Sequence, residues 1–110
     1  MTITPNQAGN CLVLRVAGRL DAATSPEFEK TWRKCMNSEI RRMVVDFGNV
    51  DYISSAGLRV ILLAGKTMRA AGGELGFSSL RGTVKDTLQL AGFCAMFPVY
   101  DSTEAALEGR

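Results

Sequence analysis

The segment Val44-Val-Asp-Phe-Gly-Asn-Val-Asp-Tyr-Ile-Ser-Ser-Ala-Gly-Leu58 passes from an apolar run through polar residues into helical sequence. Residues 42–47 have a continuous apolar centre, which is typical of a strand buried on both faces of a sheet. Gly48-Asn49 is expected to end this strand. Beyond it, an amphipathic helix is marked by residues at helical spacing, which are Leu58, Ile61, Leu62, Gly65 and Met68 or Arg69. Gly72-Gly73 is expected to end this helix. The segment therefore predicts a buried strand, a polar loop and an amphipathic helix, in that order.

Upstream of this segment, the sequence predicts a β-hairpin followed by a helix. Residues 11–17 are mostly apolar and β-branched and end at Gly18, as a strand does. The residues around Ile3 are expected to pair with this strand, with 6–10 as the turn. Residues 22–36 predict a helix, with Ser25 as its N-cap and Pro26 at the first helical position.

Downstream, strands and helices continue to alternate. The sequence predicts a strand at 74–78, a helix at 83–90 that stops at Gly92, a short strand at 96–100, and a terminal helix at 102–108 capped by Ser102. This alternation predicts an α/β sandwich with a central mixed β-sheet of about five strands packed by about four helices. A chain of 110 residues makes one such domain, which we expect to span residues 1–110.

The composition argues against several classes of function. The net charge is +2, from 13 basic and 11 acidic residues, and no basic block is present, so nucleic acid is not an expected partner. Histidine is absent, which excludes Ser-His-Asp and Cys-His catalysis and histidine metal sites. No apolar run is long enough to span a membrane, and residues 1–10 lack the pattern of a signal peptide. We therefore expect a cytoplasmic protein without a membrane partner.

The cysteines and acidic residues do not predict a metal site. Cys11, Cys35 and Cys94 are odd in number and widely spaced, which favours reduced, buried thiols over a disulfide scaffold or a zinc site. Asp46 and Asp51 flank the polar loop, but neither has a second carboxylate at tight spacing. We expect no metal, no cofactor and no catalytic residue.

Two adjacent hydroxyls, Ser54 and Ser55, lie where the helix begins. The first N–H groups of a helix have no partner within it, so that a serine there often serves as an N-cap. The alternative interpretation is a phosphorylation site, because a serine in this position is exposed. A phosphate there carries about −1.5 to −2 charges and lies at the positive end of the helix dipole. Phosphorylation would change the surface without unfolding the domain, as a docking switch requires.

The chain resembles the STAS domain of anti-sigma factor antagonists (anti-anti-sigma factors). The matching pieces follow the family's order over nearly the whole chain: Gly18-Arg-Leu-Asp21, Val44-Val-Asp-Phe47, Tyr52-Ile-Ser-Ser-Ala-Gly-Leu58, Gly72-Gly73 and Leu88-Gln-Leu-Ala-Gly-Phe93. The Ser-Ser-Ala-Gly-Leu element is the specific part of the match. The resemblance implies the STAS-domain fold and a regulatory binding protein rather than an enzyme.

The resemblance also implies a mechanism, partner switching. In this family the unphosphorylated antagonist binds a GHKL-type serine kinase that is also the anti-sigma factor, and the sequestered target is released. The kinase then phosphorylates the antagonist, which dissociates, and a PPM-type serine phosphatase restores it. The expected partners are therefore this kinase and this phosphatase.

The family's usual pattern at the site is Asp-Ser-Ser/Thr-Gly-Leu, with the hydroxyl after the Asp phosphorylated. When Gly-Leu is placed on Gly57-Leu58, the phosphoacceptor falls on Ser55, Ser54 takes the place of the Asp, and Ala56 replaces the second hydroxyl. The resemblance thus implies Ser55 as the acceptor, with Ser54 as the second choice.

The residues around the acceptor form the expected partner-binding set, which is Asp21, Ser54, Ser55, Ala56, Gly57 and Arg59. Asp21 either contacts the kinase or caps the following helix. Gly57 provides close packing, or backbone room for the kinase, or both. Arg59 is expected to be exposed, either solvated or paired with the phosphate or an acidic partner. Leu58 and Ile61 are expected in the core in preference to the alternative, a contact with the partner.

Two other functions remain as alternatives. The same fold serves as the STAS subunit of a lipid-transport ABC complex, which is a scaffold without a phosphorylation cycle. A response-regulator receiver domain would use Asp46 as its acceptor, but receivers need an acidic pair near the first strand and a late Lys. Here Asp21 stands alone and Lys85 lies within a predicted helix.

Overall fold

The computed structural model describes residues 1–108, and in that range the chain forms one sheet of five strands and five helices. The strands are β1 (Thr2–Ala8), β2 (Cys11–Leu20), β3 (Arg42–Ile53), β4 (Glu74–Ser78) and β5 (Val99–Tyr100). The helices are α1 (Ser25–Cys35), α2 (Ser55–Ala70), α3 (Gly82–Leu90), α4 (Phe93–Met96) and α5 (Thr103–Leu107). Strand order is β1-β2-β3-β4-β5, with β1 antiparallel to β2 and the other pairs parallel. The predicted α/β fold with a mixed sheet is confirmed.

The sheet separates two apolar layers of unequal size, because alternate residues of a strand face opposite sides. On one side, Leu12 and Val45 belong to the main core, which α1, α2, α3 and α4 complete. On the other side, Val13 and Val44 pack against Ala106 of α5. The middle strands β2 and β3 are therefore buried on both faces, as the apolar centre of residues 42–47 predicted.

β3 is longer than predicted, because Gly48-Asn49 does not end it. Beyond Asp46 the strand loses β4 as a neighbour and continues along β2 alone. Two irregularities in the β2–β3 register absorb extra residues of β3. The strand consequently reaches Ile53 and delivers the chain directly to the start of α2.

The predicted start of the first helix and its N-cap are wrong. α1 begins at Ser25, and Thr24, which occupies the N-cap position, makes no side-chain capping bond. The carboxylate of Asp21 accepts the N–H groups of Ala23 and Thr24 and so folds residues 21–24 into a turn before the helix. The Ser25 hydroxyl instead donates to the carbonyl oxygen of Asp21 at 2.6 Å.

Other predicted elements differ in length. The first hairpin turn contains only Gly9 and Asn10, since β1 extends to Ala8. Residues 93–96 form the short helix α4, which was not predicted, and shorten the last strand to two residues. The terminal helix has Ser102 as its N-cap, as predicted, with the hydroxyl accepting the Ala105 N–H at 3.0 Å.

The free cysteines are buried to different degrees. Cys11 is fully buried, whereas Cys35 and Cys94 are half-buried, so the prediction of three buried thiols is only partly right. Burial raises the pKa of the Cys11 thiol above its ordinary value, and the positive charge of Arg42 lowers it by a smaller amount. Burial likewise raises the pKa of the Cys94 thiol, and the positive charge of Lys85 lowers it by a smaller amount.

Candidate functional site at the start of α2

The ends of β2 and β3 bring the Gly18-Arg-Leu-Asp21 motif close to the Ser54-Ser55 pair. The strands are parallel, and their last residues, Leu20 and Ile53, are register partners. The N–H of Ser54 donates to the carbonyl oxygen of Leu20 at 2.9 Å. The loop that follows Gly18-Arg-Leu-Asp21 and the start of α2 therefore lie at the same edge of the sheet.

Ser54 is the N-cap of α2. Its backbone is extended, with φ −89° and ψ 176°, and its hydroxyl accepts the N–H of Gly57 at 3.2 Å. Its carbonyl oxygen accepts the N–H of Leu58 at 2.9 Å. The side chain is half-buried. The capping interpretation thus applies to Ser54.

Ser55 is the first residue of α2 and lies in a different environment. Its side chain is exposed, and its hydroxyl has no hydrogen-bond partner among residues 1–108. Of the two adjacent serines, one hydroxyl therefore stabilises the helix start and the other faces outward.

Gly57 lies buried against the end of β2. A β-carbon at this position would lie 2.5 Å from the carbonyl oxygen of Leu20 and 3.0 Å from the γ-carbon of Ile53. The nearest obstacle is backbone, which cannot move aside cheaply. The close-packing interpretation of Gly57 is therefore supported.

Asp21 organises the loop beside the serines. Its carboxylate accepts the Ala23 N–H at 3.0 Å, the Thr24 N–H at 3.1 Å and the Thr24 hydroxyl at 3.2 Å, and Arg19 Nε lies 3.6 Å away. Desolvation raises the pKa of Asp21, but the hydrogen bonds from Thr24 and Ala23, together with Arg19, outweigh it and hold the pKa below its ordinary value. The structure thus shows the local, turn-forming role of Asp21.

The remaining predicted side chains divide between core and surface. Ile61 is fully buried, as predicted, whereas Leu58 is half-buried and packs against the edge of the core. Arg59 is exposed, as predicted, and makes no hydrogen bond or ion pair with any other residue in 1–108. Ala56 is half-buried.

An open groove lies between the N-terminal halves of α1 and α2 and reaches Ala56, the residue after Ser55. Its volume is about 340 Å³, and its walls are mainly apolar apart from two charged side chains, Glu29 and Arg59. The other lining residues are Ala22, Ser25, Pro26, Ala56, Val60 and Leu63. Glu29 is paired with Arg33, with Nε and Oε2 2.7 Å apart. The groove is large enough for one or two apolar side chains of another molecule.

Two exposed residues near the serines were missed from the sequence. The guanidinium of Arg19 lies 4.4 Å from the ring centroid of Tyr52, whose side chain is 43% exposed. They meet because they are register partners in β2 and β3, beyond the second register irregularity. The position of Tyr52, just before Ile53-Ser54, could have marked it as a surface residue near the site. Its pairing with Arg19 could not be predicted, because it depends on the strand register.

The two aspartates flanking the polar segment have separate environments. Asp46 accepts the Gly48 N–H at 2.9 Å and the Thr103 hydroxyl at 2.8 Å, which ties β3 to α5. Asp51 is exposed. Within residues 1–108, no three His, Cys, Asp or Glu side chains converge as a metal site requires.

The helices of residues 1–108 are all too short or too polar to cross a membrane.

Comparison with known proteins agrees with the fold and motifs. The STAS domain family matches residues 2–106. The chain is 37% identical over 106 residues to a Bordetella bronchiseptica protein described as the anti-sigma factor antagonist BtrV, covering 96% of this chain and 91% of that one. It is 31% identical over 101 residues to the anti-sigma F factor antagonist of Paenibacillus polymyxa, covering 87% and 83% of the two chains.

Solved structures show the same fold at lower identity. An anti-sigma factor antagonist from Mycobacterium paratuberculosis superimposes with a TM-score of 0.86 at 23% identity, covering 98% of this chain and 92% of that one. Unphosphorylated SpoIIAA superimposes with a TM-score of 0.81 at 15% identity, covering 99% and 98%. From the match over residues 2–106 and the two relatives above 30% identity, the chain belongs to the STAS-domain family.

Proposed function

We propose that this protein is an anti-sigma factor antagonist that works by partner switching. Its unmodified form binds a GHKL-type serine kinase that is also an anti-sigma factor, and the kinase's sequestered target is released. Phosphorylation of Ser55 ends this binding, and a PPM-type phosphatase restores it. Family membership and the names of the two relatives above 30% identity support the antagonist role. The protein then acts as ligand and substrate, and supplies no catalytic residue.

The observation that carries the choice of site is the contrast between the adjacent serines. The Ser54 hydroxyl accepts the Gly57 N–H, whereas the Ser55 hydroxyl is exposed and has no partner among residues 1–108. A kinase must reach the hydroxyl oxygen and remove its proton, which costs less at a group that holds no part of the fold together. Ser55 is therefore the better acceptor.

The proposed modification is an ordinary phosphoryl transfer. The Ser55 oxygen attacks the γ-phosphorus of ATP, the bond to the β-phosphate oxygen breaks, ADP leaves, and the hydroxyl proton passes to a base of the kinase. The product carries about −1.5 to −2 charges at pH 7. It lies beside the N–H groups of Ser55 and Ala56, which have no partner among residues 1–108, in a first turn of α2 that contains no acidic residue. The fold thus accommodates the phosphate, while the surface around it becomes strongly anionic.

The proposed contact surface joins the start of α2 to the groove and the adjacent loop. Ser55 and Arg59 are exposed, and Ala56 and Arg59 line the groove. Asp21 lies in the neighbouring loop and remains partly exposed. An apolar side chain of the kinase entering the groove would contact Ala56, which directly follows Ser55 in the chain, and Arg59. A phosphate on Ser55 would have to be desolvated against the partner, which supports release on phosphorylation.

One incubation tests this proposal. The protein is mixed with ATP and a GHKL-type kinase encoded beside its gene, and the intact mass is measured. We expect one added phosphate that maps to Ser55, its loss in Ser55→Ala, and its retention in Ser54→Ala. A PPM-type phosphatase should remove it. Phosphate on Ser54 would overturn the choice of site, and no phosphate together with co-purification of an ABC ATPase would favour the scaffold function.

A further inference from the structure

Ser55 and Arg59 stand one helical turn apart on the exposed side of α2. Both are exposed, and their positions differ by four residues within one continuous helix. Side chains at this spacing project from the same face, with β-carbons about 5–6 Å apart. A phosphate on Ser55 would therefore lie within reach of the long Arg59 side chain.

The guanidinium of Arg59 is uncommitted in the unmodified protein. No hydrogen bond or ion pair joins it to another residue in 1–108. Glu29, the acidic residue in the same groove, is held by Arg33 at 2.7 Å. The other cation near the start of α2, Arg19, lies over the Tyr52 ring and beside Asp21. Arg59 is thus the cation best placed to respond to a new negative charge at Ser55.

We propose that Arg59 binds the phosphate of phosphorylated Ser55 in an ion pair across one turn of α2. The inference rests on the phosphorylation proposed above. It makes Arg59 a positioning residue for the phosphate, since an arginine fork matches two phosphate oxygens. Phosphorylation then changes the groove in two ways. It adds a dianion on the residue that precedes Ala56 of the groove wall, and it withdraws Arg59, the one uncommitted cation among the described groove-lining residues. A kinase carboxylate that faces Arg59 in the bound state would lose its partner at the same moment.

The test installs phosphoserine at position 55 during translation, so that no kinase is needed. The second ionisation of the phosphate is followed by ³¹P NMR as a function of pH in the full chain and in four variants: Arg59→Gln, Arg59→Lys, Arg19→Gln and Lys66→Gln. Lys66 is an exposed cation on the same helix, 11 residues from Ser55 and so about 16 Å along the axis, which makes Lys66→Gln a charge-matched control.

An ion pair stabilises the dianion and lowers the proton affinity of the phosphate. We expect Arg59→Gln to raise that affinity about two- to fivefold, Arg59→Lys to recover most of the effect, and Lys66→Gln to leave it unchanged. Equal titrations of Arg59→Gln and Lys66→Gln would overturn the proposal, as would a larger shift in Arg19→Gln. A kinase that fails to modify Ser55 would overturn the proposed function and leave this measurement intact.

Discussion

The backbone of Gly57 packs against the carbonyl oxygen of Leu20, so that a β-carbon on Gly57 would lie 2.5 Å from that oxygen. The same oxygen accepts the N–H of Ser54 at 2.9 Å. The Leu20 carbonyl group at the end of β2 thus contacts both Ser54, which caps α2, and Gly57, the third residue of α2. The position of Ser55 follows from this contact, because Ser55 lies between them in the chain.

Gly57→Ala is expected to destabilise the fold by about 1–3 kcal/mol, because the added methyl meets backbone rather than a flexible side chain. In an unobstructed helix the same change would stabilise by up to about 1 kcal/mol. The sign of the change in free energy of unfolding therefore tests the contact. It is measured by urea denaturation, and a stabilised Gly57→Ala would show that α2 does not approach β2 so closely.

Ser54→Ala and Ser55→Ala should differ in stability. Loss of the Ser54 cap is expected to cost about 1 kcal/mol. Ser55→Ala removes an exposed hydroxyl without a partner in the described chain and should stay within about 0.5 kcal/mol of the unmodified protein. Parallel denaturation curves of the two variants provide the comparison. A larger loss in Ser55→Ala would mean that the two serines have exchanged roles.

Leu58→Ala and Ile61→Ala test how deep each side chain lies. Ile61 is fully buried and should lose about 2–5 kcal/mol of stability on truncation. Leu58 is half-buried, so that truncation should cost about 1–2 kcal/mol. Equal losses would contradict the observed difference in burial. The exposed part of Leu58 also remains accessible to a partner, which the complete burial expected from the sequence would not allow.

Asp21→Asn should lower the melting temperature in a pH-dependent way. The pKa of Asp21 is depressed in the folded protein. Its carboxylate therefore contributes stability that is present above the unfolded pKa of about 3.9 and is lost as the pH falls through the folded value. The difference in melting temperature between the protein and Asp21→Asn should be constant near neutral pH and shrink below about pH 4. A difference that stays constant down to about pH 2 would rule out the charged carboxylate as its source.

The sequence predicted the order of elements and the polar start of α2, because apolar periodicity and the Ser-Ser pair are local signals. The N-cap at Ser102 was predictable for the same reason. The error at Ser25 arose because Asp21 folds a turn over residues that the sequence pattern assigns to the helix. The continuation of β3 through Gly48-Asn49 depends on pairing with β2, which is a long-range contact.

The candidate site shows the same division between local and long-range information. Ser54, Ser55 and Arg59 were identifiable, since they share one helix start. Whether Ser54 or Ser55 caps the helix was settled only by the hydrogen bond from Gly57. The stacking of Arg19 on Tyr52 was not predictable, because two register irregularities decide which residues of β2 and β3 face each other.

A charge at Ser55 is proposed to decide whether a GHKL-type kinase stays bound. The most direct test is the dissociation constant of that kinase for the unmodified chain and for the chain with phosphoserine at position 55, measured side by side by calorimetry. We predict that phosphoserine weakens binding at least about tenfold, which corresponds to about 1.4 kcal/mol. Equal affinities would contradict this, because release would then have to arise from something other than the phosphate on this residue.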